Sequence, residues 1–149
     1  MRQAERLRYL VLAAQREGNR ALGRELAPLG LTPSQAEVLR VLDDFGPLTL
    51  GGLGELLVCE SGTNPSRLVD RLVSAGLVTR EIGERDRRQV RLALTPQGKQ
   101  SADAVKSIEN ALYEQIEAAT ADRDLSVTLA LLAALVAGQP SGNALQKRG

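Results

Sequence analysis

Residues 64–99 read NPSRLVDRLVSAGLVTREIGERDRRQVRLALTPQGK, and a change of rhythm inside this stretch decides the fold. Asn64 is a good helix cap and Pro65 disfavours helical geometry at the residue before it, so a helix is predicted from Pro65 to about Ala75 with Gly76 as its stop. Leu68, Val69 and Leu72 give this helix a buried side, while Ser66, Arg67, Asp70 and Arg71 stand on its other faces. The period then drops to two. LVTREI, the turn GERDRRQ and VRLAL, in which Val90, Leu92 and Leu94 alternate with Arg91 and Ala93, predict a β-hairpin. Thr95 and Pro96 give a cap-then-proline signal and open a long helix, 96 to about 120, with Val105, Ile108, Leu112 and Ile116 on one stripe.

Upstream, LTPSQAEVLRVL supplies Thr32 as N-cap, Pro33 at the first helical position and Gln35 to close a capping box, predicting a helix over 33–44. FGPLTL breaks it. Thr49 is placed to cap a short helix, LGGLGELL, with Leu50, Leu53, Leu56 and Leu57 along one face; its three glycines mean that tertiary packing must hold it. Residues 2–27 lack proline and repeat Leu7, Leu10, Val11, Ala14, Ala21 and Leu22 at helical spacing, weakened locally by Gly18. At the other end VTLALLAALVA, residues 127–137 behind Ser126 as cap, is apolar on every side. A monomer of this size cannot cover such a helix, which predicts a homodimer. Residues 138–149, GQPSGNALQKRG, read as a flexible tail.

The chain has 149 residues, enough for one domain, taken as 1–137. No apolar run approaches the roughly 20 residues of a membrane span, and the N-terminus lacks a secretory pattern, so a cytoplasmic protein with no membrane partner is expected. One cysteine and no histidine exclude a disulfide framework and remove the usual zinc ligands and the commonest general base. No nucleophile-base pair or metal cluster is visible. A non-enzyme with no catalytic residues, metal or cofactor is the expectation. Net charge is only +1 but unevenly placed: between 61 and 99, Arg67, Arg71, Arg80, Arg85, Arg87, Arg88, Arg91 and Lys99 face only Asp70, Glu81, Glu84 and Asp86.

Helix, helix and hairpin in this order make a helix-turn-helix followed by a wing, in a chain that is mainly α. A short helix with small polar groups at its exposed start can enter the major groove of double-stranded DNA. The candidate contacts are Thr63, Asn64, Ser66, Arg67 and Arg71 from the recognition helix and its approach, and Arg85, Asp86, Arg87 and Arg88 from the wing. Asp86, an acid where phosphate would lie, is expected to pair with a neighbouring arginine and fix it. The other reading of the basic face is an interaction module with an acidic protein partner. Cys59 suits buried packing better than redox sensing, because Glu60 beside it would raise its pKa. Tyr9, Tyr113 and Phe45, the only aromatics, suit interface packing better than a ligand pocket.

LGELL, SRLVDRLVSAGLV and DRRQVRLALTPQGK resemble the winged-helix core of the MarR family of bacterial transcription regulators, and the resemblance covers roughly residues 5 to 137. It implies a winged helix-turn-helix core, about 33–95, flanked by dimerisation helices, about 2–27 and 96–137. It also implies a recognition helix at 65–75, a wing in which Asp86 and Arg88 match the family's paired acid and arginine, and a ligand-responsive repressor that binds an inverted-repeat operator. The effector implied is a small lipophilic or phenolic molecule held between the dimer helices and the DNA-binding lobe. The chain departs from the pattern at VCESGTN, about one residue longer than usual, and at Pro65, which falls where a β-branched residue usually sits. Together these predict a recognition helix that starts late.

Overall fold

The computed structural model describes residues 1–59 and 65–149. Its elements are α1 (Gln3–Leu26), α2 (Pro33–Phe45), α3 (Leu50–Gly54), α4 (Ser66–Ser74), β1 (Val78–Ile82), β2 (Val90–Leu94), α5 (Pro96–Ala119), α6 (Ser126–Val136) and α7 (Pro140–Arg148), with a 3-10 turn at Ala27–Leu29. The mainly helical fold with a two-stranded hairpin is the class the sequence predicts.

Among the described residues, side-chain caps start three of the seven α-helices. At α2 the Gln35 N–H donates to Thr32 Oγ1 at 3.3 Å while the Thr32 N–H donates to Gln35 Oε1 at 2.9 Å, the reciprocal box expected from the spacing. Thr49 and Thr95 cap α3 and α5 by accepting from Gly52 and Gly98, each at 3.0 Å. Ser126 is not a cap: Leu125 holds that position, and Asp124 accepts the Ser126 N–H at 2.9 Å. Those bonds from Ser126 hold the Asp124 carboxyl below its ordinary range. The third helix stops at Gly54, short of the expected eight residues, since three glycines give it little intrinsic stability. Leu53, Leu56 and Leu57 are nevertheless buried, held by the core as that reading requires.

α2 runs through the centre. Val38, Leu39, Val41 and Leu42 pack with Leu26, Leu53, Leu57, Val69, Leu72, Val78, Leu92 and Val105 in one continuous apolar cluster. On the flank of α2, Arg40 gathers Glu109 of α5 at 3.0 Å, Asp43 at 3.2 Å and Asp44 at 3.3 Å. Burial alone would weaken the hold of Arg40 on its proton, but hydrogen bonding to Glu109 and the neighbouring acids more than reverse this and raise its pKa. The hairpin is tied to the same core, because Leu48, ahead of α3, exchanges two backbone bonds with Leu92 at 3.0 and 2.7 Å.

The C-terminal helices behave differently. Along α5 the stripe fades from buried Val105 through half-buried Ile108 and Leu112 to exposed Ile116. α6 has no buried residue, and Val127 and Leu129 are 74% and 62% exposed. The expected flexible tail is instead largely helical: residues 140–148 form α7, with Gly142 and Ala144 buried. A Cβ on Gly142 would collide with the Val136 carbonyl, so the glycine that suggests a loose tail serves a close approach of α7 to α6.

Candidate nucleic-acid interface

The exposed face of α4 follows from its period. Val69 and Leu72 turn inward, and Arg67, Asp70, Arg71 and Ser74, spaced three and four residues apart, share the outer face. The helix is closed behind by Gly76 at φ +75°, where the Leu77 N–H reaches back to Leu72 O at 3.0 Å. Its start is at Ser66 with Pro65 in the cap position, one residue later than predicted, because proline fixes the geometry there. Pro65 itself is buried. Thr63 and Asn64, two of the predicted contacts, lie outside the described residues, and so does the predicted capping by Asn64.

Asp70 would repel phosphate from the middle of this face. It instead forms an ion pair with Arg80 on β1, which joins the outer side of α4 to the first strand of the wing. Arg80 is the residue that sequence reasoning missed. Its signal is a strand position facing the preceding helix.

In the wing, Val78 pairs with Leu94, Arg80 with Leu92 and Ile82 with Val90, in antiparallel register. The tip is closed by the Gly83 N–H donating to Gln89 O at 2.8 Å and the Gln89 N–H to Asp86 O at 3.0 Å. Asp86 Oδ1 accepts the backbone N–H of Arg88 at 2.9 Å. This corrects the expected guanidinium pairing: the short acid folds back on the chain two residues on and shapes the turn. No ion pair among the described residues involves Asp86, Arg85, Arg87 or Arg88, and all four are exposed. The three guanidinium groups therefore project from an ordered turn.

Cys59 is exposed, contrary to the expected packing role, since it lies beyond the last core leucines of the α3 segment. Phe45 and Tyr113 both line a 390 Å³ cavity between α2 and α5, together with Arg40, Glu109 and Arg148. Burial, with Glu109 adding to it, raises the pKa of Tyr113. Tyr9 stays on the surface with Arg8 over its ring at 4.6 Å.

The model of the MarR family matches residues 29–89, the segment that contains α2, α3, α4 and most of the wing. Over 135 residues the chain is 30% identical to the organic hydroperoxide resistance transcriptional regulator of Bacillus subtilis, covering 78% of this chain and 91% of that protein. Among solved structures it is similar to the reduced form of MarR from E. coli, with 28% identity, a TM-score of 0.69 and coverage of 88% and 96% of the two chains. It is also similar to reduced AbfR bound to DNA, with 27% identity, a TM-score of 0.62 and coverage of 78% and 89%. The chain belongs to the MarR family of DNA-binding, winged-helix transcription regulators.

Proposed function

We propose that this regulator is a cytoplasmic, ligand-responsive repressor that binds an inverted-repeat operator as a homodimer, with α4 in the major groove and the wing on the flanking backbone. The observation that carries the reading is the exposed basic surface made by Arg67 and Arg71 on α4 and Arg85, Arg87 and Arg88 on the wing, with Asp70 neutralised by Arg80. In this reading Ser66 and Arg67 at the start of α4 meet base edges, and the wing arginines meet phosphates or a narrow minor groove. Thr63 and Asn64 would extend the base-reading end.

Homodimerisation is supported by the apolar exposure of α6 together with Tyr9, Leu10, Tyr113 and Ile116 on the long helices. Two-fold symmetry of the protein then demands two-fold symmetry of its site. A responsive ligand is supported by a second cavity, 370 Å³, between α1 and α5, whose Leu22, Ile108 and Leu112 suit a small lipophilic or phenolic molecule. Repression follows if the dimer competes for promoter DNA until the ligand shifts the spacing of its two lobes.

The test is a titration against random-sequence duplex DNA at several salt concentrations. Binding whose logarithm falls steeply and linearly with the logarithm of salt is the expected result. No binding even at low salt overturns the DNA reading and favours an acidic protein as the partner of the basic face.

A further inference from the structure

α7 ends on two ion pairs that reach back to the helix-turn-helix. Lys147 Nζ meets Glu55 at the end of α3 at 2.6 Å, and Arg148 Nη1 meets Glu37 Oε1 on α2 at 2.7 Å. Glu37 is more than the partner of Arg148. Its Oε1 also accepts the backbone N–H of Val58 at 2.8 Å, and its Oε2 accepts that of Cys59 at 2.8 Å. One carboxylate therefore fixes the chain as it leaves α3 towards α4 and, at the same time, holds the last residue of α7.

The setting makes this junction stiff. The Glu37 side chain is 10% exposed and that of Arg148 28%, so their attraction is screened less than that of a surface pair. Bonds from backbone N–H groups to a carboxylate are charge-assisted, and the guanidinium of Arg148 at 2.7 Å holds that carboxylate in place. α7 cannot slide freely, since Ala144 is buried and Gly142 lies against the Val136 carbonyl of α6. Of the two acids that anchor α7, Glu37 is the one that also holds the backbone at Val58 and Cys59.

We propose that Arg148 and Glu37 are positioning residues for DNA reading: α7 is a strap by which the C-terminal helices set the approach to α4. The proposal rests on α4 being the helix that reads sequence. It differs from direct contact in a measurable way, since a positioning residue changes discrimination between sequences without changing the number of phosphates neutralised.

The experiment compares full-length wild type, Arg148→Ala, Arg148→Lys and Arg67→Ala on a duplex selected by the wild-type protein from random sequence and on unselected random duplex, each across salt. Arg148→Ala is expected to weaken binding to the selected duplex about tenfold, with the affinity for random duplex and the salt slope unchanged. Arg148→Lys, which keeps the charge, recovers part of the loss. Amide exchange at Val58 and Cys59 accelerates in Arg148→Ala while the α2 and α5 core amides do not change. Equal loss on both duplexes with a slope shallower by about one means that Arg148 touches phosphate itself, and overturns the proposal. So does an unchanged affinity on both, or exchange that rises across the whole core, which marks a purely structural role. Arg67→Ala separates the two failures: if it lowers discrimination and Arg148→Ala does not, the strap alone is wrong. If Arg67→Ala also leaves discrimination intact, α4 is not the reading helix.

Discussion

Arg67 and Arg71 share the outer face of α4 but lie at different depths along it, and the proposed docking on DNA gives them different work. In that docking Arg67, the second residue of the helix, would enter the groove from the N-terminal end, and Arg71, a turn further back, would meet flanking phosphate. Arg67→Ala is therefore expected to cost about 1–3 kcal/mol on the operator and to relax preference at one position per half-site, whereas Arg71→Ala lowers operator and random binding together. Affinities of both variants on operator and scrambled duplex at fixed salt check this. Asp86 has its own test, because its carboxylate shapes the turn by accepting the Arg88 N–H. Asp86→Asn keeps the acceptor and removes a negative charge, so DNA binding should hold or tighten, while Asp86→Ala loosens the wing and weakens it. Equal weakening in both variants would show that the charge itself is needed.

Of the two ion pairs that dock α7, the one between Lys147 and Glu55 carries a pH dependence. A hydrogen bond and coulombic attraction from Lys147 hold the Glu55 carboxyl below its ordinary 4.5, with slight burial acting the other way. A depressed folded-state pKa stabilises the docked helix above the unfolded value, and the contribution is lost as pH falls through the folded pKa. The carboxyl resonance of Glu55 should thus titrate below 4.5 in the wild type and return to about that value in Lys147→Ala. No difference between the two would mean that α7 is not anchored there. The same helix shows where the sequence stops being legible. The capping box at Thr32, the caps at Thr49 and Thr95 and the late start behind Pro65 are contacts within four residues, so their pattern is written in adjacent letters. The Leu48–Leu92 bridge, the Asp70–Arg80 pair and the hold of Glu37 on Val58, Cys59 and Arg148 join distant segments, and no local period announces them. Pro140 and Gly142 read as turn formers, yet one starts a helix and the other makes room for the Val136 carbonyl.

For the whole molecule, the proposed homodimer rests on the apolar surface of α6 and the exposed end of the α5 stripe. Covering them takes an obligate interface of more than about 2,000 Å² in total, so sedimentation at micromolar concentration should show a dimer, and a folded monomer there would remove the basis for symmetric DNA reading. The central claim is that two copies present their α4 helices to DNA through one two-fold axis. It is tested most directly by selecting duplexes bound by the full chain from a random pool and sequencing them. The account predicts an inverted repeat whose half-site centres lie about 34 Å, one turn of DNA, apart. Enrichment of a single asymmetric half-site, or of no sequence at all, would contradict it.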